Sequence, residues 1–272
     1  MHRQQVSPQA IAQDTLTLAG PDAHHLLHVL RVREGDEVGA FDGQGATRLY
    51  AVAARTPEAL TLVAKQPLFR QDVRPVRLTL FVCVPKGERM EWLLEKATEL
   101  GVDRIVPVLS ARTVVRLDPR QAQAKRDRWL RIVQAAARQC GAARLPDLLP
   151  PTPFAETAPL MRACTALIVA ALTPQAKPLD PVLDALDPDR PGQDWGWWCG
   201  PEGDFTPDEL RFILDHGAIP VTLGPLILRV ETAALYGLAN LGCRREGAGP
   251  ARTLPQRTEN GEQKTERPCG AT

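Results

Sequence analysis

Trp195-Gly196-Trp197-Trp198-Cys199-Gly200-Pro201-Glu202-Gly203-Asp204-Phe205-Thr206-Pro207-Asp208-Glu209 joins a compact apolar run to a glycine-rich turn and then to a helix start. Residues 195–199 lack the polar alternation of a half-exposed strand, which is the pattern of a strand covered on both faces. Thr206 and Glu209 stand three apart with proline at the first helical position, a capping box, so a helix opens there and should stop near Gly217. Strand, turn and helix in this order form the repeating unit of a parallel α/β sheet. Such sheets bind ligands at the carboxyl ends of their strands, where Gly200 and Gly203 let a backbone approach closely.

Outward from this unit, residues 78–84, 105–109, 166–172 and 219–223 are further compact apolar runs. Residues 88–100 carry a stripe of Met90, Leu93, Leu94 and Ala97 that ends at Gly101, which predicts a helix. A second strand-turn-helix unit reads Leu223-Gly224-Pro225-Leu226-Ile227-Leu228-Arg229-Val230-Glu231, with the last helix over 231–241. Glu231 is the residue type that a first helical turn favours for its dipole alone. That account does not extend to Arg229, whose guanidinium beside a glycine turn suits an anionic or carbonyl-rich ligand.

Before Pro75 the texture differs: residues 37–41, 47–53 and 59–65 are short β-like runs broken by Asp42-Gly43-Gln44-Gly45 and similar turns, which predicts a small barrel. One helical piece over 23–32 precedes it, with Leu26, Leu27 and Leu30 on one face as core. After Gly242 the sequence loses periodicity and large apolar residues, so a disordered tail is expected over 244–272.

The chain has 272 residues, 44% hydrophobic and 24% charged, the composition of a folded protein of one or two domains. The net charge of +1 conceals an asymmetry: residues 76–150 carry 14 Lys/Arg against 8 Asp/Glu, and residues 151–243 carry 5 against 12. The middle is the natural contact for a polyanion, with a solvated helix surface as the plain alternative. Six scattered cysteines without a CxxC pair argue against zinc and against a disulfide framework, so no metal is expected. The amino terminus lacks the pattern of a secretory leader and no apolar run is long enough to span a bilayer, which points to the cytoplasm. Neither a G-x-G-x-x-G nor a G-x-x-x-x-G-K-[ST] fingerprint is present for a dinucleotide or P-loop site.

With their order and spacing kept, HHLLHVLRVREGD, DGQG, KGERMEWLLEKATELGVDRIVPVLSART, QCGAARLP, CGPEGDF and LGPLILRVETA together resemble the ribosomal RNA small subunit methyltransferase E family. The resemblance implies a PUA-like β-barrel over residues 1–73 and, over 74–243, a SPOUT-type, trefoil-knotted α/β domain with a mostly parallel sheet. It implies methylation of N3 of a uridine in 16S rRNA of the small ribosomal subunit, S-adenosylmethionine as cofactor, and a homodimer. By the same resemblance Leu172, Gly200, Pro201, Glu202, Gly203, Leu223, Gly224, Ile227 and Leu228 hold the methyl donor. Arg229 would stabilise charge developing on a uracil carbonyl, and Glu231 would orient Arg229 or accept the proton. Arg31, Lys86, Arg112, Arg116, Lys125, Arg126, Arg128 and Arg131 are the expected RNA contacts. Trp129, at helical spacing with Ile132 and Val133, is assigned to core packing in preference to base stacking.

Three departures stand out: Ala142 and Leu226 replace arginines, and Asp204 replaces the second glycine of GPEGG. Arg138 or Arg144 is the candidate to compensate. A ribose 2′-O-methyltransferase of the same fold and a non-catalytic RNA-binding or ribosome-assembly factor are the alternatives.

Overall fold

The computed structural model describes residues 2–71, 74–115 and 117–246, so the predicted contact Arg116 and all of the expected tail beyond Glu246 lie outside the described residues. Two sheets organise the chain. The first holds β1 (His2–Gln5), β2 (Thr15–Ala19), β3 (Glu37–Phe41), β4 (Ala46–Arg55), β5 (Ala59–Ala64) and β6 (Phe69–Arg70) in the order β1-β3-β4-β5-β2, with β6 on β4. Among the described residues no ladder joins β1 to β2, so the expected barrel is a half-barrel. Its open side is filled by helix α1 (Pro8–Ile11), helix α2 (Gly20–His24) and the π-helical turn His25–Val29 that continues α2. Ile11, Leu26, Tyr50, Leu60 and Leu62 are fully buried between them. The predicted helix 23–32 therefore starts earlier and ends at Val29.

The second sheet holds β7 (Val76–Cys83), β8 (Arg104–Leu109), β9 (Asp147–Leu148), β10 (Thr152–Pro153), β11 (Ala166–Ala170), β12 (Lys177–Pro178), β13 (Gln193–Cys199) and β14 (Ile219–Thr222). Their order is β10-β8-β7-β13-β11-β14-β12, with β9 on β8, and every pairing is parallel. All seven residues of β13 are buried, the run 195–199 as its lack of polar alternation requires. One face of the sheet turns Leu78, Leu80, Trp195 and Trp197 toward α3 (Arg89–Glu99), α4 (Pro119–Cys140), α6 (Leu179–Asp184) and α8 (Val230–Glu246). The other turns Phe81, Val169 and Trp198 toward α5 (Ala158–Ala163) and α7 (Pro207–Asp215). Phe81 and Trp198, paired across β7 and β13, stack at 4.8 Å and 4°. Each large apolar side chain buried in these layers contributes roughly 2 kcal/mol.

Two segments differ from the sequence reading. Helix α8 runs through Gly242 to Glu246 and buries Arg245, whose Nη1 donates to Asp103 Oδ2 at 2.8 Å. Residues 244–246, expected in the tail, are thus helical, because a glycine inside a well-packed helix does not end it. Helix α4 opens on a capping box of Asp118 and Gln121 and closes on the left-handed Gly141, and it takes Trp129 into the core at 2% exposure.

The half-barrel is joined to the α/β layers by backbone. Gly43 and Gln44 bridge Arg144, Gly45 N–H donates to Ala143 O at 3.0 Å, and Leu145 N–H donates to Gly43 O at 2.9 Å. Asp42 Oδ1 shapes the turn by accepting from Gln44 and Ala46 N–H at 2.7 and 2.9 Å. Arg144 Nη2 donates to Gln71 O at 3.1 Å, which commits that guanidinium to the junction. Arg144 is therefore not free to replace the arginine missing at Ala142.

Candidate active site

Strands β13, β11 and β14 are neighbours and end level, with Ala170 opposite both Cys199 and Val221. The three turns that leave their carboxyl ends consequently lie side by side, and a cavity of about 280 Å³ opens between them and the start of α8. The β11 turn contributes Leu172, the β13 turn Gly200, Pro201 and Glu202, and the β14 turn Leu223, Gly224, Ile227, Leu228 and Arg229. Apart from Arg229, these are the predicted donor contacts, with one of that set missing. Gly203 is turned away from the cavity, and a Cβ there would meet Arg112 Cδ at 3.4 Å.

The pocket also has a lining that sequence reasoning missed. Leu226 lies on its rim at 75% exposure beside Ile227 at 82%, and Val230 and Ala233 close the α8 side. Asp204, which lines it too, is in the left-handed region at φ 61°, a conformation that costs a non-glycine residue about 1 kcal/mol or more. Its side chain offsets part of this cost by accepting the Phe205 N–H at 2.8 Å. The backbone need explains why glycine fits this position. Cys199 also lines the cavity, but burial raises its thiol pKa, as it raises that of Cys83 to about 12. Neither serves as a thiolate nucleophile near neutral pH. The five described cysteines are free, and no cluster of metal-binding side chains occurs among the described residues.

Arg229 projects at the mouth of the pocket, exposed, and makes no ion pair or side-chain hydrogen bond among the described residues. Glu231 is set behind it at 8% exposure and does not line the cavity. Its Oε1 lies 3.8 Å from Nε of Arg89, not against Arg229, and its Oε2 is buried without a hydrogen-bond partner. Arg89 went unnoticed in the sequence, where it is one cation among several in KGERMEW.

The predicted RNA contacts divide into tied and free side chains. Arg112 Nη1 donates to Gly203 O at 2.5 Å and to Phe205 O at 3.4 Å, so this exposed side chain braces the β13 turn. Arg126 Nε donates to Leu148 O at 3.0 Å, Arg128 pairs with Glu91 at 2.7 Å, and Lys125 sits over the Trp129 ring at 5.6 Å. The side chains of Arg31, Lys86 and Arg131 are exposed and without such partners among the described residues.

Two family models match the chain: an RNA methyltransferase domain over residues 72–242 and an RNA methyltransferase PUA domain over residues 18–65. Ribosomal RNA small subunit methyltransferase E of Synechocystis is 31% identical over 250 residues, 90% of this chain and 78% of the relative. The Bacillus subtilis protein of that name is 28% identical over 85% of this chain and 91% of its own length. A crystal structure of ribosomal RNA small subunit methyltransferase E from Neisseria gonorrhoeae bound to S-adenosyl methionine matches with a TM-score of 0.75 at 30% identity. It covers 88% of this chain and 95% of that one. With a domain model over more than half of its length and such relatives over most of it, the chain belongs to the ribosomal RNA small subunit methyltransferase E family.

Proposed function

We propose that this chain transfers a methyl group from S-adenosylmethionine to N3 of a uridine in 16S rRNA of the small ribosomal subunit. The observation that carries the reading is the pocket where three adjacent strand ends meet, with an unpaired Arg229 at its mouth. Its residues fit the donor. Leu223, Ile227 and Leu228 offer apolar surface to a flat base, and the turn backbones offer donors and acceptors for polar edges. When bound, S-adenosylmethionine supplies the electrophilic methyl group.

Arg229 is the catalytic residue of this reading: its guanidinium meets a uracil carbonyl and stabilises negative charge there as the N3 proton leaves. The exposed mouth lets that proton pass to water. Glu231 lies behind the cavity wall against Arg89, so it contacts neither Arg229 nor the leaving proton and bears on Arg229 only through the placement of the α8 start. Leu172, Gly200, Pro201, Glu202, Leu223, Gly224, Ile227 and Leu228 hold the donor, while Gly203 acts only through the shape of its turn. The order β13-β11-β14 and the return of α8 across β7 and β13 support the trefoil-knotted path. The half-barrel grips RNA flanking the target, a second copy of the chain completes a homodimer, and the reaction takes place in the cytoplasm.

Transfer of labelled methyl to small subunits lacking the modification, followed by nucleoside analysis, tests the reading. Appearance of 3-methyluridine is the expected result. A methylated ribose, or no transfer at all, would overturn it.

The free and tied cations predict different phenotypes. Alanine at Arg131 or Arg31 weakens RNA binding and lowers the slope of log affinity against log salt by about 1 each. Alanine at Arg112 leaves that slope near wild type and instead weakens donor binding, because the β13 turn loses its brace. Titrations of labelled RNA and of donor at several salt concentrations separate the two classes. Equal salt slopes for Arg131→Ala and wild type would remove Arg131 from the RNA surface.

A further inference from the structure

The ion pairs around the pocket converge on a residue outside its lining, Arg89 in the first turn of α3. Its Nη1 is 3.8 Å from Glu202 Oε1, and its Nε is 3.8 Å from Glu231 Oε1. Glu202 Oε1 also accepts the Lys86 N–H at 3.0 Å, which ties the β13 turn to the segment leaving β7. One guanidinium thus stands between a carboxylate of the donor turn and a carboxylate in the first turn of α8, two residues beyond Arg229. Each separation lies within ion-pair reach and beyond hydrogen-bond contact, so the cation is shared. The Glu231 side chain is 11% exposed, and a carboxylate so enclosed needs a cation close by. Among the described residues Arg89 is the cation that reaches it.

We propose that Arg89 is a positioning residue: by dividing its charge between Glu202 and Glu231 it holds the donor turn against the start of α8, which fixes the spacing from the donor wall to Arg229. This rests on the reading of the pocket as a methyl-transfer site. Arg89 touches neither donor nor uridine and acts through the two carboxylates.

The test is a double-mutant cycle on methyl transfer to small subunits lacking the modification, with kcat and donor KM measured separately. Arg89→Ala lowers kcat/KM by about 10- to 100-fold, the loss expected when an active-site group is misplaced. Arg89→Lys, which keeps the charge, recovers most of it. In a Glu231→Gln background, Arg89→Ala costs at most about threefold more, because the interaction it removes is already gone. Losses that simply multiply in the double variant, or an Arg89→Ala protein as active as wild type, would overturn the proposal. An unmodified chain that transfers no methyl group defeats the reading of the site, and this inference with it. Should Arg89→Ala fail to fold, the same cycle run with Arg89→Gln and Glu202→Gln replaces it, and multiplying losses there count equally against the proposal.

Discussion

Replacing Arg229 by alanine lowers the turnover of methyl transfer by roughly 10²–10³ while the protein keeps the unfolding midpoint of wild type. The first half follows from chemistry. N3 becomes nucleophilic as its proton leaves, the charge spreads onto the flanking carbonyls, and a fixed guanidinium there acts only as that charge develops. The second half follows from the structure: Arg229 is exposed and has no side-chain partner to lose among the described residues. Because Arg229 is the only Lys or Arg in residues 223–230, no second guanidinium on this loop can substitute. Single-turnover rates with saturating donor, set beside thermal unfolding, decide the matter. Near-normal turnover would remove Arg229 from the catalytic role.

Gly237→Ala acts on the scaffold instead. Gly237 lies on the buried face of α8 against Trp197, and a Cβ placed there would lie 2.0 Å from Trp197 Cε2. Trp197 cannot give way. It is fully buried, its strand is flanked by β7 and β11, and its Nε1 donates to Ala233 O at 3.3 Å. Forcing a methyl group into so close an approach costs about 3 kcal/mol. For a chain of this size that lowers the unfolding midpoint by about 6–12 °C. Since α8 also carries Arg229 at its entrance, activity at moderate temperature should fall with it. A midpoint within about 2 °C of wild type would mean that α8 does not press on the sheet as described.

What could be read in the sequence was whatever a short stretch decides for itself. The five long strands of the α/β region and the Thr206–Glu209 capping box follow from local periodicity and end chemistry, and each appears within a few residues of its expected place. The two-residue strands β9, β10 and β12 left no trace, because their pairing is dictated by neighbours distant in sequence. Helix α4 is legible at its start, where Asp118-Pro119-Arg120-Gln121 carries the same signal as α7. Two of the three pocket turns are marked in the sequence by Gly-Pro after a strand, at Gly200 and Gly224, whereas the donor set as a whole, Leu172 included, followed from the family resemblance. The ordering of the turns side by side was not legible, since it depends on the β13-β11-β14 arrangement. Arg112 and Arg89 mark the limit. Both are cations in a basic region, and only the fold reveals that one braces a turn and the other stands between two carboxylates.

The backbone bridge at Gly43, Gln44 and Arg144 has a consequence for how the target is chosen. A pair of modules on a loose tether tolerates many separations between the place that grips and the place that reacts. Here three sets of contacts tie the seam: the bridge pairs, the Gly45 and Leu145 amides and the Arg144 Nη2–Gln71 O bond. On the proposed reading, in which the half-barrel grips RNA, the protein would work as a caliper of set opening. An RNA whose folded surface presents the uridine at that span would then be accepted, and one with the same sequence but another shape passed by.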